Sequence, residues 1–597
     1  MATITTTAKA QPKGGAFLIE ALRPEDVFTP EELTDQHKLI GQTAEEFVRQ
    51  EVLPLVADLE VHKEGAMASL MKKAGEVGLL GGGVPESYDG AGLDKISTTV
   101  LAEKVTGYGS FLASHGGHSG IGTLPIVYFG TEAQKKKYLP KLATGEWLSC
   151  YCLTEPHAGS DALAARTRAD LTPDGKYYVL NGQKIWITNG GFADVFIIFA
   201  KVGGEKFSCF IVERSMPGVQ IGPEEKKMGL KGSSTVPIFL ENAKVPAENL
   251  LGEVGRGHIV AFNILNVGRF NLGAYCLGGS KQVVAESIKY AKERTAFGKA
   301  IAEFGLIRQK ISEMVAQTFV LDAMIYRTAG MIDGALGAVD WSSADAPQRV
   351  MKALEEYAVE CSVNKVYGSE VLDFVVDEAV QIFGGYGYHQ DYPVERAYRD
   401  SRVNRIFEGT NEINRMLITG MLLKRAMSGA LPLISAAQKI ADEVLAGPGF
   451  EEPSAEPLAA EVKAVQNAKK IFLQASGTAV QKYMDKISDQ QEVLAGLAEI
   501  VMEVYAMESA TLRAQKMLAR KASSAPVALA ACQSFVYDAA DRVEKNARTV
   551  LSAVTEGDML RTQLAVLKRF SKREPVNTIA LHEQIAKAAI EAGRYPF

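Results

Sequence analysis

The chain is poor in several things, and each scarcity excludes something. Six cysteines in 597 residues (Cys150, Cys152, Cys209, Cys276, Cys361 and Cys532) are too few and too scattered for a disulfide framework. Cys150 and Cys152 form CxC rather than CxxC, and no second pair or histidine cluster completes a zinc site. Free buried thiols and no metal are therefore expected. No run of about 18 apolar residues is present, which leaves nothing to cross a membrane as a helix. Neither sign of charge dominates, with 65 Lys and Arg against 71 Asp and Glu and a formal net charge of −6. That balance argues against nucleic acid as the main partner. The first residues, MATITTTAKAQPKGG, lack arginine and an apolar core, so they read as neither a secretory signal nor a transit peptide. Proline is absent from His258 to Ala346, which leaves long helices uninterrupted there.

What is present is ordinary in bulk and specific in places. Hydrophobic residues make up 47% and charged residues 23%, as in a globular protein. At roughly 150 residues per domain the length suggests three or four domains. Residues 1–22 are expected to be a flexible N-terminus and 23–149 a helical domain. In that domain an amphipathic helix is expected from Pro30 to near Pro54, a glycine-rich loop from Gly78 to Leu93, and a capping box of Thr131 and Gln134. Residues 150–255 read as a β domain. Lys176–Thr188 suggests a hairpin turning at Asn181-Gly182, followed by strands Val195–Val202 and Phe207–Glu213. Residues 256–445 fit a four-helix bundle, with Ile307, Ile311, Met314, Thr318, Leu321 and Ile325 at helical spacing. AGPGFEEPSAEP marks a linker at 446–457, and 458–597 form an additional helical domain with Leu494, Leu497, Val501, Val504 and Tyr505 on one face. The fold class is thus mainly α with a central β domain of barrel or sandwich type.

Four strings carry chemistry. In RIFEGTNEI, Glu408 follows the apolar Phe407 and precedes a Gly409-Thr410 turn at a helix start, a setting that can turn a carboxylate into a strong base. Thr410 is the expected N-cap, with Ile413, Met416, Leu417 and Met421 as the buried face behind it. YCLTEPHAGSD, with Trp186-Ile187-Thr188, offers hydroxyls, glycine amides and a ring to stack on a flat ligand. In ERTAFGK, Arg294 can clamp a pyrophosphate. In QIFGGYGY, the glycines allow close backbone approach, although no preceding strand makes them a Rossmann loop. Each string alone has a purely structural explanation: a helix-start acid, a core tryptophan, a helix-end arginine, a helix-ending turn.

Together and in this order, the strings resemble the acyl-CoA dehydrogenase family over about residues 25–430. FNILNVGRF, FGLIRQK and the added C-terminal region are most similar to the very-long-chain branch and its bacterial relatives. The resemblance implies FAD, held by Tyr151, Leu153, Thr154, Gly159, Ser160, Trp186, Ile187 and Thr188 at the flavin end. It also implies Arg294, Phe297, Gln381, Gly384 and Gly385 for the diphosphate and adenosine, with Thr410 and Glu412 completing the site. Glu408 matches the family's catalytic base; Val267 and Gly268, where some branches carry the base, cannot accept a proton. Ser160, Phe262, Asn266, Arg269 and Gly409 match substrate-side positions. The implied reaction is α,β-dehydrogenation of a medium-to-long-chain acyl-CoA to trans-2-enoyl-CoA, with electrons passed to an electron-transfer flavoprotein. An oxidase using oxygen and a non-catalytic scaffold are the alternatives. At the tunnel floor Gly122 fits a long-chain relative, whereas Pro125 stands where the branch has glycine. A homodimer is implied, with a cytoplasmic location in a bacterium or a mitochondrial one in a eukaryote. Peripheral contact with the membrane is known in the branch, but no basic amphipathic run here supports it.

Overall fold

The computed structural model describes residues 12–339, 343, 346–446 and 456–597. Two compact units are formed: one from residues 33–325, 364–414 and 582–597, the other from the remaining described residues up to 581. The expected linker at 446–457 lies largely outside the described residues, as does 1–11 of the expected flexible N-terminus. Residues 14–18 are held firmly. The N–H groups of Gly14 and Gly15 donate to Glu356 and Glu360 at 2.8 and 2.7 Å, and Ala16, Phe17 and Leu18 are buried.

The first unit begins with helices. α1 (Asp35–Phe47) starts later than Pro30, because the Thr34 side chain accepts the His37 N–H and caps the helix. Pro54 does not end the helical path. It sits in the tight turn Leu53–Leu55, where a missing N–H costs little, and the chain continues as Val56–Glu60. α2 (Lys95–Lys104) and α3 (Gly109–Gly116) follow. α4 (Glu132–Ala143) opens on the capping box of Thr131 and Gln134, with reciprocal bonds of 2.9 and 3.3 Å. The Gln134 amide then reaches the carbonyls of Glu248 and Leu250, tying α4 to the sheet.

The β domain is one eight-stranded sheet. Its strands are β1 (Ser149–Cys152), β2 (Arg168–Leu171), β3 (Tyr177–Thr188), β4 (Val195–Val202), β5 (Lys206–Glu213), β6 (Val219–Ile221), β7 (Thr235–Pro246) and β8 (Leu250–Leu251). The order is β6-β7-β3-β2-β4-β5-β8, with β1 parallel to β4. The hairpin expected at Asn181-Gly182 is not there: β3 runs straight through, paired with β7, with a bulge between Leu180 and Gly182. Glycine is needed for close approach, not for turning, since a Cβ on Gly182 would lie 2.5 Å from the Thr167 hydroxyl. All six cysteines are buried and free.

α5 (Gly257–Glu293) is 37 residues long, as the missing proline allows. A short hairpin, β9 (Thr295–Ala296) and β10 (Lys299–Ala300), leads to α6 (Gly305–Gly337), whose positions from Ile311 to Ile325 on the expected face are buried. α7 (Ala358–Phe383), α8 (Pro393–Ser401) and α9 (Asn411–Met427) complete the helices around the site.

The other unit contains α10 (Ala459–Tyr483), α11 (Gln491–Ala519) and α12 (Ala525–Val554), with the expected Leu494, Leu497, Val501, Val504 and Tyr505 all buried. Several of its buried charges are paired. Arg327 meets Glu508 at 2.7 Å and Ser509 at 3.0 Å, Lys469 meets the other oxygen of Glu508, and Arg513 meets Glu31 at 2.8 Å.

Candidate active site

Glu408 sits in the turn between the short helix Arg402–Arg405 and α9. Its φ is +57°, and Gly409 follows at +77°. A left-handed backbone at a residue with a side chain costs on the order of 1–3 kcal/mol and persists only where neighbours enforce it. The neighbours here are specific. The Asn414 side-chain amide donates to the carbonyls of Glu408, Gly409 and Thr410 at 3.4, 2.8 and 3.0 Å. The Arg269 Nε donates to the Glu408 carbonyl at 3.3 Å, while its Nη1 is bonded to Asn266 at 2.9 Å. Thr410 caps α9 by accepting the Ile413 N–H at 3.3 Å. The buried face of α9 differs from the expected one: Asn411, Asn414, Ile418 and Leu422 are inside, and Ile413 is exposed. Two asparagines displace the apolar stripe because Asn414 binds the backbone of the turn and Asn411 binds side chains of α7.

The carboxylate itself is aimed at α5. A Cβ on Gly268 would lie 2.6 Å from Glu408 Oε2, so the bare glycine is the space the carboxylate occupies. Oε2 is buried and has no hydrogen-bond partner. Burial pushes the carboxyl up to about 7, against the opposing pull of Arg269 and Lys365. That is the range in which a carboxylate is ionised at neutral pH yet basic enough to take a proton.

Glu408 lines the end of a cavity that follows one stripe of α5 through Gly268, Leu272, Tyr275, Gly279, Val283 and Glu286. From Gly268 to Glu286 is five turns of helix, roughly 27 Å. The opposite walls come from α3 and its continuation (Gly116, Gly117, Gly120), from α7 (Leu372, Val376) and from α8 (Val394, Ala397). Glycine makes the width, since a Cβ on Gly116 would meet the Tyr275 hydroxyl at 2.6 Å. Neither Gly122 nor Pro125 lines this space. A Cβ on Gly122 would meet Ser149, and Pro125 is buried in a helix.

The remaining expected residues fall into two groups. Thr188 lines the cavity with Glu408. Beside it on β3, Trp186 is 59% exposed with φ +59°, while the Ile187 side chain lies in the sheet core. Leu153 is buried, Tyr151 and Thr154 are half-buried, and Gly159 and Ser160 are exposed. The loop bearing them is anchored underneath: buried Lys184 meets Glu155 at 2.6 Å, and Glu155 accepts the N–H groups of Arg166 and Thr167. The second group is on the far ends of α5 and α7. The Arg294 guanidinium lies 5.6 Å over the Tyr386 ring, which places it beside the turn that carries Gly384 and Gly385. Phe297, at the tip of the β9–β10 hairpin, is 95% exposed with φ +52°. Gln381 and Glu412 are exposed. Phe262 is partly exposed on α5, whereas Asn266 and Arg269 are buried and engaged with each other.

Sequence reasoning missed Asn411, Asn414, Lys365 and Tyr275. It treated Gly268 as an empty rival position when it is the room for Glu408. A shared signal exists only in the backbone: Trp186, Phe297 and Glu408 are three of the eleven described non-glycine residues with positive φ.

A helical scaffold with an inserted sheet thus frames a buried carboxylate on the wall of a long, largely apolar cavity. The acyl-CoA dehydrogenase N-terminal domain matches residues 34–146, the middle domain 150–243, and two C-terminal domains 255–423 and 467–569. A probable acyl-CoA dehydrogenase of Bacillus subtilis (strain 168) is 49% identical over 98% of both chains. The very long-chain specific acyl-CoA dehydrogenase, mitochondrial, of Bos taurus is 34% identical, covering 92% of this chain and 87% of its own. An acyl-CoA dehydrogenase from Bacillus anthracis, crystallised in complex with FAD, superposes with a TM-score of 0.96 at 49% identity, covering 98% of this chain and 99% of its own. This chain belongs to the acyl-CoA dehydrogenase family, and is an oxidoreductase of that family. Among the described residues no helix is long and apolar enough to cross a membrane.

Proposed function

We propose that the protein removes the α-proton and β-hydride of a medium-to-long-chain acyl-CoA to give the trans-2-enoyl-CoA, with FAD as its cofactor and an electron-transfer flavoprotein as acceptor. The observation that carries this reading is the unpartnered, buried Oε2 of Glu408 on the wall of a largely apolar cavity. An α-proton of a thioester is far less acidic than a carboxylic acid, so the base must be dry, fixed and close to its substrate. Burial, the left-handed turn and the Asn414 and Arg269 bonds supply those conditions.

The residues present fit FAD. A Cβ on Gly159, Gly384 or Gly385 would meet nothing within 4 Å, so these glycines leave room for close approach of a ligand rather than serve the protein's own packing. Trp186 presents its ring next to Thr188, and Arg294 offers a cation for a diphosphate. When bound, FAD supplies the acceptor for the hydride leaving the β carbon. Tyr151, Leu153, Thr154, Ser160, Trp186 and Thr188 would hold the flavin end. Arg294, Phe297, Gln381, Gly384 and Gly385 would serve the diphosphate end from a neighbouring copy of the chain, which makes the working unit a homodimer. The exposure of Phe297 fits that use. Asn266 and Arg269 brace the turn of the base rather than offer free groups to the thioester.

The run of the cavity along α5 supports a long acyl chain. An extended chain advances about 1.2 Å per bond, as in the ~3.5 Å of a three-bond peptide unit. Roughly 27 Å along α5 therefore takes an acyl chain of about 20 carbons. The test is anaerobic bleaching of the flavin by acyl-CoAs of graded length. Palmitoyl-CoA is expected to bleach it fully, and no bleaching with any chain from C4 to C20 would refute the proposal.

A further inference from the structure

Lys365, on α7, is 0% exposed. Its Nζ donates to Asn411 Oδ1 at 2.6 Å, a neutral acceptor, and among the described residues it forms no salt bridge with a carboxylate. Buried ammonium groups are costly unless an opposite charge compensates. The other unit shows the usual solution, with Lys469 paired to Glu508 and Lys516 to Glu32. Lys365 departs from it.

Its single partner explains why. Asn411 is the first residue of α9, three positions after Glu408. The same amide donates from Nδ2 to Ser369 Oγ and Glu370 Oε1, both at 3.0 Å. α7 therefore grips the first turn of α9 through one side chain, and Asn414, one turn on, holds the carbonyls of residues 408–410. The charged and titratable groups facing this corner are few. Arg269 and Tyr275 face Glu408 from α5, Tyr151 from β1 and Lys365 from α7; Cys276, Glu370, Arg269 and Glu408 face Lys365.

We propose that Lys365 is the positioning residue of the base: it locks Asn411, and so the Glu408 turn, while holding a second fixed positive charge beside the carboxylate. With Glu408 and Glu370 ionised the corner carries two negative and two positive charges, so Lys365 and Arg269 together offset the carboxylates, and without Lys365 the corner would turn net negative and oppose negative charge developing on the substrate. Burial pulls the ammonium down to about 8, against the pull of Cys276 and Glu408, so Lys365 is charged at neutral pH.

The inference rests on Glu408 being the base, and the experiment separates the two. The flavin-loaded enzyme is assayed for kcat/KM against pH in the wild type, E408Q, K365M, K365Q and K365R, with flavin absorbance confirming loading. Removing a neighbouring positive charge raises a carboxyl's pKa, so the acid limb of K365M and K365Q should move upward by about one pH unit. A tenfold or larger fall in kcat at pH 7 and little change in KM should accompany it. K365R should keep the limb at its wild-type position. An unmoved limb in both neutral variants would overturn the proposal, as would failure of both to fold, which would make Lys365 a structural cation. An active E408Q would instead refute the reading of the base itself.

Discussion

Glu360, near the start of α7, and Glu408, in the turn before α9, are alike by charge. Burial pushes both carboxyls up to about 7, and each has an Oε2 without a hydrogen-bond partner. Their surroundings differ. Glu360 lies on a regular helix and accepts the Gly15 N–H at 2.7 Å, with the N-terminal segment packed over it. Glu408 lies on a left-handed turn, faces a bare glycine and lines the long cavity. A perturbed carboxyl is therefore not the mark of a catalyst in this chain. On the proposed reading the mark is a perturbed carboxyl that lines the cavity, held by backbone that would relax if it were free to.

The comparison can be strained at several points. The largest effect is expected where buried charge is purely structural. Arg327→Met leaves Glu508 facing Lys469 alone and should cost about 3–5 kcal/mol, read by denaturant unfolding, with kcat per folded, flavin-loaded molecule unchanged. Gly268→Ala should do the reverse. A methyl 2.6 Å from Glu408 Oε2 must displace it, and a displaced base should lower kcat about 100-fold while unfolding stability changes little. A normal kcat in Gly268→Ala would show that the carboxylate does not work from this position. Gly279→Leu acts on the cavity rather than the base. Its Cβ would already touch Leu372 at 3.3 Å, so the larger side chain should close the far half. Activity on C16 relative to C8 acyl-CoA is expected to fall about tenfold, on the scale of a few lost methylene contacts.

A further effect is on stability and is shared by the two glutamates. Each has a folded pKa of about 7, above the ordinary carboxyl value of 4.5. The stability that a raised carboxyl contributes is full below its unfolded pKa and is lost as pH rises through the folded one. At pH 8, E408Q and E360Q should therefore each be more stable than the wild type by roughly 1–3 kcal/mol, and at pH 4.5 the advantage should vanish. Thermal unfolding at the two pH values reads this directly.

How much of this was legible in the sequence depends on the reach of the interaction. Local signals held: the Thr131–Gln134 capping box, the Thr410 cap and the α6 face are set within a few residues. Asn181-Gly182 misled because glycine serves two purposes, turning and close approach, and only the position of Thr167 decides between them. The face of α9 was misread because hydrophobicity alone ranks Ile413 above Asn414, whereas the turn needs the amide inside. Lys365 gave no signal, since a lysine on an apolar helix ordinarily reaches water. Glu408 was legible through the company of its motifs, but the reason it can act there, the missing side chain of Gly268, is a contact between residues 140 positions apart.

The most direct test of the account compares the two glutamates in one assay. Flavin-loaded wild type, E408Q and E360Q are mixed anaerobically with palmitoyl-CoA at pH 8, and the bleaching rate is followed. E408Q is expected to slow bleaching by roughly a thousandfold or more, as loss of a general base without substitute requires. E360Q, equally buried and equally perturbed, should stay within a factor of about three of the wild type. Bleaching by E408Q at a rate near that of the wild type would contradict the account.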